Sequence, residues 1–330
     1  MNFFILILIL LFTSCDFKPR AEGVENQIHV VVSFEDFSKV KTIIDSIFLP
    51  EILTPEPESF FELKYILAED FDKIKNYHNI LVLSILDIPD STGDKLIYSF
   101  LPKNSSERNE NKIFSKRDVF ARDQVFSVVY GKDFEDFKNT LIINSKWIYN
   151  KYFNFYRDRQ EKHLFKRREQ HDLSNLIFEK FNWKIRIQHD FTLIKEDSNN
   201  NFIWLGRAFP FRWLSFNWND YNNKLTFENL NFDTLLNEYS KFYNNDILFL
   251  KKYRNISRDK IGNFDAIKLE GLWEHNSDVK GGPFISYFFY DTNLKKLFHI
   301  NLLVHNPGRK KLPSLLQLEI MSKTYSSKLK

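Results

Sequence analysis

A single cysteine stands in a chain of 330 residues, which excludes a fold stapled by internal disulfides or built on a cysteine-ligated metal. The body must therefore hold together by apolar packing. Hydrophobic residues make up 43% and aromatic residues 17%, enough for the cores of two ordinary domains. The formal net charge of +4 is too small for the basic stripe of a nucleic-acid binder, so no such partner is expected.

That cysteine, Cys15, comes soon after the uninterrupted apolar run Phe3–Phe12, FFILILILLF. The run suits a signal-peptide core and is too short to span a bilayer, which takes about 20 apolar residues. Thr13 and Ser14 are small, as cleavage ahead of Cys15 requires. The arrangement resembles the bacterial lipobox, which implies a lipoprotein signal peptide over 1–14 and lipidation of Cys15. Residues 15–26 are polar and read as a tether. The expected address is the bacterial cell envelope, at the outer membrane, with the membrane a partner through the N-terminal lipid.

Beyond the tether, apolar periodicity marks the elements. Gln27–Ser33 and Gln124–Tyr130 are β-branched runs, and Phe61–Leu67 and Asn79–Ile88 complete a set of strands. Apolar residues at helical spacing mark Phe37–Phe48, and a second helix signal covers Asp133–Lys146. The polar stretch Asp90–Lys116 reads as a flexible excursion. A long helical tract with charges of both signs over Tyr156–Gln170 reads as a solvated face. In the second half, Lys184–Ile187, Phe191–Lys195, Phe202–Leu205, Asp265–Trp273, Phe284–Asp291 and Lys296–His305 read as strands, and Leu235–Tyr243 and Pro313–Tyr325 as helices. The expected class is α+β. Two α/β sandwich domains with antiparallel sheets, 27–142 and 182–330, are joined by a charged helix over 143–181. The element order of the second domain resembles the PsbP/Mog1-like fold.

Two segments carry the candidate chemistry. In Gly271–Phe284, GLWEHNSDVKGGPF, the paired glycines Gly281 and Gly282 with Pro283 read as a turn. Trp273, Glu274, His275 and Asp278 stand just before it. The second segment is an aromatic run, Trp204, Phe209, Phe211, Trp213, Phe216 and Trp218, with Arg207 and Arg212 interleaved; stacked rings and Arg suit sugars, lipids or protein. No nucleophile elbow, phosphate loop, zinc-protease motif or dinucleotide fingerprint is present, so no catalytic residue, metal or cofactor is assigned. The remaining histidines, His299 and His305 among them, suggest no site.

Several stretches also resemble a known family. Tyr77-His78-Asn79-Ile80-Leu81, Phe120-Ala121-Arg122-Asp123-Gln124, Asn201-Phe202-Ile203-Trp204-Leu205, Gly271-Leu272-Trp273-Glu274 and Gly281-Gly282-Pro283-Phe284 are similar to DUF4837, a family of lipoproteins from Bacteroidetes-type bacteria. The resemblance covers nearly all of the mature chain. It implies an envelope lipoprotein and carries no catalytic residues.

The resulting expectation is a non-enzymatic binding or assembly protein of the envelope. Its contact surface is expected around Trp273, Glu274, His275, Asp278, Gly281 and Gly282, joined by Trp204 and Arg207, and facing an envelope protein, glycan or lipid. The alternative is a glycan or lipid hydrolase using Glu274 with His275 or Asp278, and a structural spacer is a third reading.

Overall fold

The computed structural model describes residues 18–87, 92–100, 112–166, 169–220 and 230–328. The expected signal peptide and Cys15 lie outside the described residues. No described helix is long and apolar enough to cross a membrane. The chain divides into two compact units, 1–50 with 61–156, and 51–60 with 157–330.

In the first unit, strands β1 (Gln27–Val32), β2 (Glu62–Leu67), β3 (Asn79–Ile85), β4 (Ile113–Arg117) and β5 (Val125–Gly131) form one sheet in the order β2-β1-β3-β5-β4. Every residue of β1, β3 and β5 is buried, because helices cover both faces of a sheet built by crossovers. Helix α1 (Phe34–Phe48) starts at Ser33, whose hydroxyl accepts from the Asp36 amide, and buries Val40, Ile44 and Phe48 at four-residue spacing. The short α2 (Phe71–Ile74) and α3 (Thr92–Phe100) add Phe71, Ile74 and Ile97 to the core. Helix α4 (Phe134–Lys166) contributes Tyr152, fully buried, whose hydroxyl donates to the Ile80 carbonyl at 2.7 Å.

Three expectations are corrected here. The α+β class holds, but this first sheet is not antiparallel. The pairs β1/β2, β1/β3 and β3/β5 are parallel and only the edge strand β4 runs the other way. The stretch Asp90–Lys116, read as an excursion, contains α3 and β4. Residues 19–26 are not a free tether. The Ala21 amide donates to Arg122 O at 2.9 Å, Arg122 N to Pro19 O at 2.8 Å, and Glu22 N to Asn76 O at 3.0 Å. The Asn79 amide donates to the carbonyls of Glu25 and Gln27 at 2.8 and 2.9 Å. Gly23, at φ +83°, is packed against the Tyr77 ring, 2.4 Å from where a Cβ would stand. The stretches 77–81 and 120–124 thus build the seat of the N-terminal segment.

The linking tract also differs from expectation. It is two helices, α4 and α5 (His171–Phe181), and the residues of α4 from Arg157 onward belong to the second unit. Arg159, expected on a solvated face, is buried.

The second unit is built on an eight-stranded antiparallel sheet. It comprises β7 (Thr192–Asp197), β8 (Phe202–Arg207), β9 (Phe211–Asp220), β10 (Ile247–Phe249), β11 (Asn255–Ile261), β12 (Phe264–His275), β13 (Gly281–Asp291) and β14 (Lys296–His305). The order is β10-β12-β13-β14-β9-β8-β7, with β11 also paired to β12. Helix α6 (Phe232–Ser240), continued by a 3-10 turn over Lys241–Tyr243, packs on one face around Leu236, Tyr239 and Tyr243. The opposite face packs against α7 (Leu312–Lys323) and Trp183 of β6 (Trp183–Lys184). The Trp183 ring meets Phe216, Trp218, Phe298 and Tyr325. β6 pairs with β15 (Ser326–Ser327).

Residues 51–60 join this unit although they precede most of the first. The buried Glu58 carboxylate accepts from the Lys311 amide at 2.8–2.9 Å and from the Leu312 amide at 3.1 Å. Those amides belong to the unsatisfied start of α7, where a negative charge is stabilised by the helix dipole. Lys311 Nζ, 3.6 Å away and also buried, completes the pair.

Candidate functional site

The segment around Gly281 and Gly282 is a strand rather than a turn. In the register of β12 and β13, Trp273 stands opposite Gly282 and Glu274 opposite Gly281. Neither glycine has positive φ. They serve close approach instead: a Cβ on Gly282 would lie 1.9 Å from the Val304 carbonyl oxygen, and one on Gly281 2.8 Å from the Trp273 carbonyl oxygen. The Val304 oxygen is the acceptor for the Trp273 indole N–H at 3.2 Å. Gly282 thus opens the space in which a buried tryptophan is bonded. The turn itself is 276–280, closed by His275 N donating to Lys280 O at 2.9 Å.

This geometry also disperses the residues expected to act together. Trp273 is 1% exposed and part of the core under α6, so it is no surface contact. Alternation along the strand sends the Glu274 side chain, exposed to solvent, to the other face. The His275 Nδ1 accepts from the amides of Ser277 and Asp278 at 3.2 and 3.1 Å, which caps the turn. Asp278 pairs with Lys280 at 2.6 Å, holding its carboxyl below the usual range. Glu274 with His275 or Asp278 therefore makes no acid–base pair here. Trp204 does connect to Trp273, but through the core: their rings flank Trp213 at 5.8 and 5.7 Å. Arg207 is ion-paired to Asp190. The aromatic run splits by alternation, with Trp213 on the α6 face and Phe216 and Trp218 against Trp183 on the other.

A different site emerges on the α6 face, built from polar residues in the middle of apolar strands. The register aligns Ser286 with Asn301 and Asn301 with Ser215, and in the next row Phe288 with His299 and His299 with Asn217. The first row is sealed under α6. Ser215 Oγ lies 2.8 Å from the Tyr239 hydroxyl and 2.5 Å from that of Tyr243, and Ser286 donates to Asn301 at 3.2 Å. The second row floors a cavity of about 460 Å³. Its walls are Leu235, Glu238 and Tyr239 of α6, Lys241 and Phe242 of the 3-10 turn, and the Asn199–Asn201 turn between β7 and β8. Asn217 donates to the carbonyls of Asn200 and Asn201 at 2.9 and 3.1 Å, fixing that turn to the floor. Asn201 takes the left-handed conformation at φ +49°, which Asn tolerates.

His299 lies in this floor between the rings of Tyr239 and Phe288, at centroid distances of 4.0 and 4.2 Å. It is 7% exposed, its Nε2 has no hydrogen-bond partner among the described residues, and burial lowers its pKa to about 3, so the ring is neutral at physiological pH. A neutral imidazole offers one donor and one acceptor. Sequence reasoning passed over His299 as suggesting no site, although polar residues at 299 and 301 inside an apolar strand are a signal of this layer. Among the described residues no group of three His, Cys, Asp or Glu side chains is placed to hold a metal.

Residues 21–165 match the model of DUF8532, a domain of unknown function, and residues 170–324 that of DUF4837, likewise a domain of unknown function. The stretches 77–81 and 120–124 fall in the DUF8532 match, which corrects the expectation that one family spans nearly all of the mature chain. No curated protein matches the chain. A solved structure, that of LpqN involved in cell envelope biogenesis of Mycobacterium tuberculosis, is similar at 12% identity and a TM-score of 0.26, over 44% of this chain and 82% of that one. A score of that size does not establish a common fold. The sheet with its cavity and the closing helix α7 are what the family match covers: over residues 170–324 the chain matches the DUF4837 family.

Proposed function

We propose that the chain is a lipoprotein of the bacterial cell envelope, anchored through Cys15, whose second unit is a non-enzymatic binding module. The observation that carries the binding reading is the cavity beneath α6. Its walls are braced by their own hydrogen bonds, its volume of about 460 Å³ is that of a small-ligand site, and one buried imidazole nitrogen has no partner among the described residues. Walls that set aromatic and aliphatic side chains beside many polar ones are suited to select and hold a ligand. The envelope placement rests on the apolar run Phe3–Phe12 leading to Thr13, Ser14 and Cys15.

The first unit gives that placement a geometric consequence. Lys18 already bonds the body, donating to the Asp118 carbonyl at 2.7 Å, so only Asp16 and Phe17 separate it from Cys15. At roughly 3.5 Å per residue, the lipid-bearing residue is within about 10 Å of the seated chain. The first unit would then lie against the bilayer rather than on a long stalk. Palmitate labelling of cells, with and without globomycin, tests the anchor. Labelled protein that accumulates as the uncleaved form under globomycin is the expected result. Unlabelled protein with its leader intact overturns the envelope reading.

A further inference from the structure

We propose that the cavity under α6 takes an uncharged, hydroxyl-rich ligand, the end of a glycan, with the His299 imidazole and the side-chain amides of Asn199 and Asn201 as its polar contacts. The inference deepens the binding reading above and rests on it. Most of the polar lining is already committed to the protein. Asn217 holds the Asn200–Asn201 turn and accepts from Asn219 at 3.0 Å, Asp197 accepts from Asn200 at 2.8 Å, and Lys195 donates to the Phe242 carbonyl at 3.1 Å. The groups that retain capacity are the His299 ring, the amides of Asn199 and Asn201, and an exposed opposite-charge pair on the wall, Glu238 and Lys241.

The chemistry of that remainder discriminates among ligands. A neutral imidazole and two primary amides each donate and accept, and a hydroxyl is the ligand group that does both. A phosphate or carboxylate would meet Lys195 and Lys241 but also Asp197 and Glu238, so the balanced charge of the lining offers it no net attraction. An acyl chain has no polar group to offer the imidazole or the Asn199 and Asn201 amides, so it would gain nothing from them. The rings of Tyr239, Phe242 and Phe288 supply the apolar surface on which the C–H face of a sugar ring can rest.

The test titrates the full chain in detergent micelles with glucose, mannose, N-acetylglucosamine and the β-1,4-linked dimer of N-acetylglucosamine, and separately with inorganic phosphate and with laurate. Calorimetry reads affinity and the NMR signals of the His299 ring read the site. At least one sugar is expected to bind and to move the His299 signals, with phosphate and laurate silent. His299→Phe is expected to weaken that sugar at least tenfold without lowering the melting temperature, since it removes an unpaired nitrogen. Asn199→Ala, at an exposed position, is expected to weaken it severalfold with the fold intact. The inference is overturned if no sugar moves His299, if only phosphate or laurate does, or if binding survives His299→Phe unchanged. Should His299→Phe fail to fold, undiminished sugar binding by Asn199→Ala overturns it. Unlabelled chain in the palmitate experiment that still binds a sugar defeats the envelope placement alone. Labelled chain whose His299 ignores every sugar defeats this inference alone.

Discussion

The two units bury polar side chains in different ways. The first builds a mostly parallel sheet whose three central strands are buried along their whole length; it holds a few mid-strand polar groups, such as Ser127 bonded to Ser115, but its side chains that bond distant backbone, Asn79 and Gln124, lie near the strand ends. Those side chains bond backbone: Asn79 reaches Glu25 and Gln27, and Gln124 reaches Lys75 and Tyr77 at 2.6 and 2.8 Å. The second unit places polar side chains in the middle of its strands, in rows, where they bond one another beneath α6 and floor a cavity. Polar groups at strand ends secure a chain segment. Polar groups in mid-sheet rows need a cover or a ligand, because a buried donor or acceptor left unpaired costs about 1–3 kcal/mol.

The sharpest way to break the comparison is Gly282→Val. The new side chain would collide with the Val304 carbonyl and remove the acceptor of the Trp273 indole, so a loss of about 3–5 kcal/mol is expected in the second unit alone. Urea denaturation followed by tryptophan fluorescence reads it, since five of the six tryptophans stand between positions 183 and 273. Next comes Glu58→Ala, which strips the start of α7 and leaves the buried Lys311 ammonium without its counter-charge, bonded only to the Arg309 carbonyl among the described residues. About 3 kcal/mol should be lost from the second unit, although the substitution lies before residue 61. If the first unit loses stability instead, the assignment of residues 51–60 is wrong.

A pH titration sharpens the contrast further. His299 has a folded pKa lowered from the ordinary 6.5 to about 3 by burial, so the unfolded chain binds its proton first as pH falls. Its contribution is fully present above pH 6.5 and is lost on acidification from there toward pH 3, at about 1.4 kcal/mol per pH unit. His299→Phe should remove that slope from the second unit. An unchanged slope would place the acid sensitivity elsewhere. The smallest effect is expected for Asn79→Ala, about 1–2 kcal/mol in the first unit, with faster proteolysis within residues 18–26.

Much of the fold was legible from periodicity. The runs that became β1, β3 and β5 stand out as continuous apolar stretches, and β13 and β14 as a pair. Continuity itself pointed to burial on both faces, the mark of parallel strands, and the antiparallel expectation overlooked it. β11 escaped notice because NISRDKI is almost wholly exposed and its polar residues carry no alternation. The paired glycines misled for a specific reason: glycine serves both positive φ and close approach, and the sequence does not separate them. The candidate site was half visible. Ser215, Asn217, Ser286, His299 and Asn301 each interrupt an apolar strand, but which of them meet depends on register, and register depends on partners far along the chain.

By itself, the amino-acid order determined the α+β class and the positions of most strands and helices, because these follow from local hydrophobic periodicity and backbone preference. Tertiary structure alone decided that Trp273 is core and His299 faces a cavity, that residues 19–26 are seated, and that Glu58 caps a helix some 250 residues away. Each of those outcomes turns on which distant strand or turn arrives beside a residue. That is settled by packing the whole unit at once, and no local window contains it.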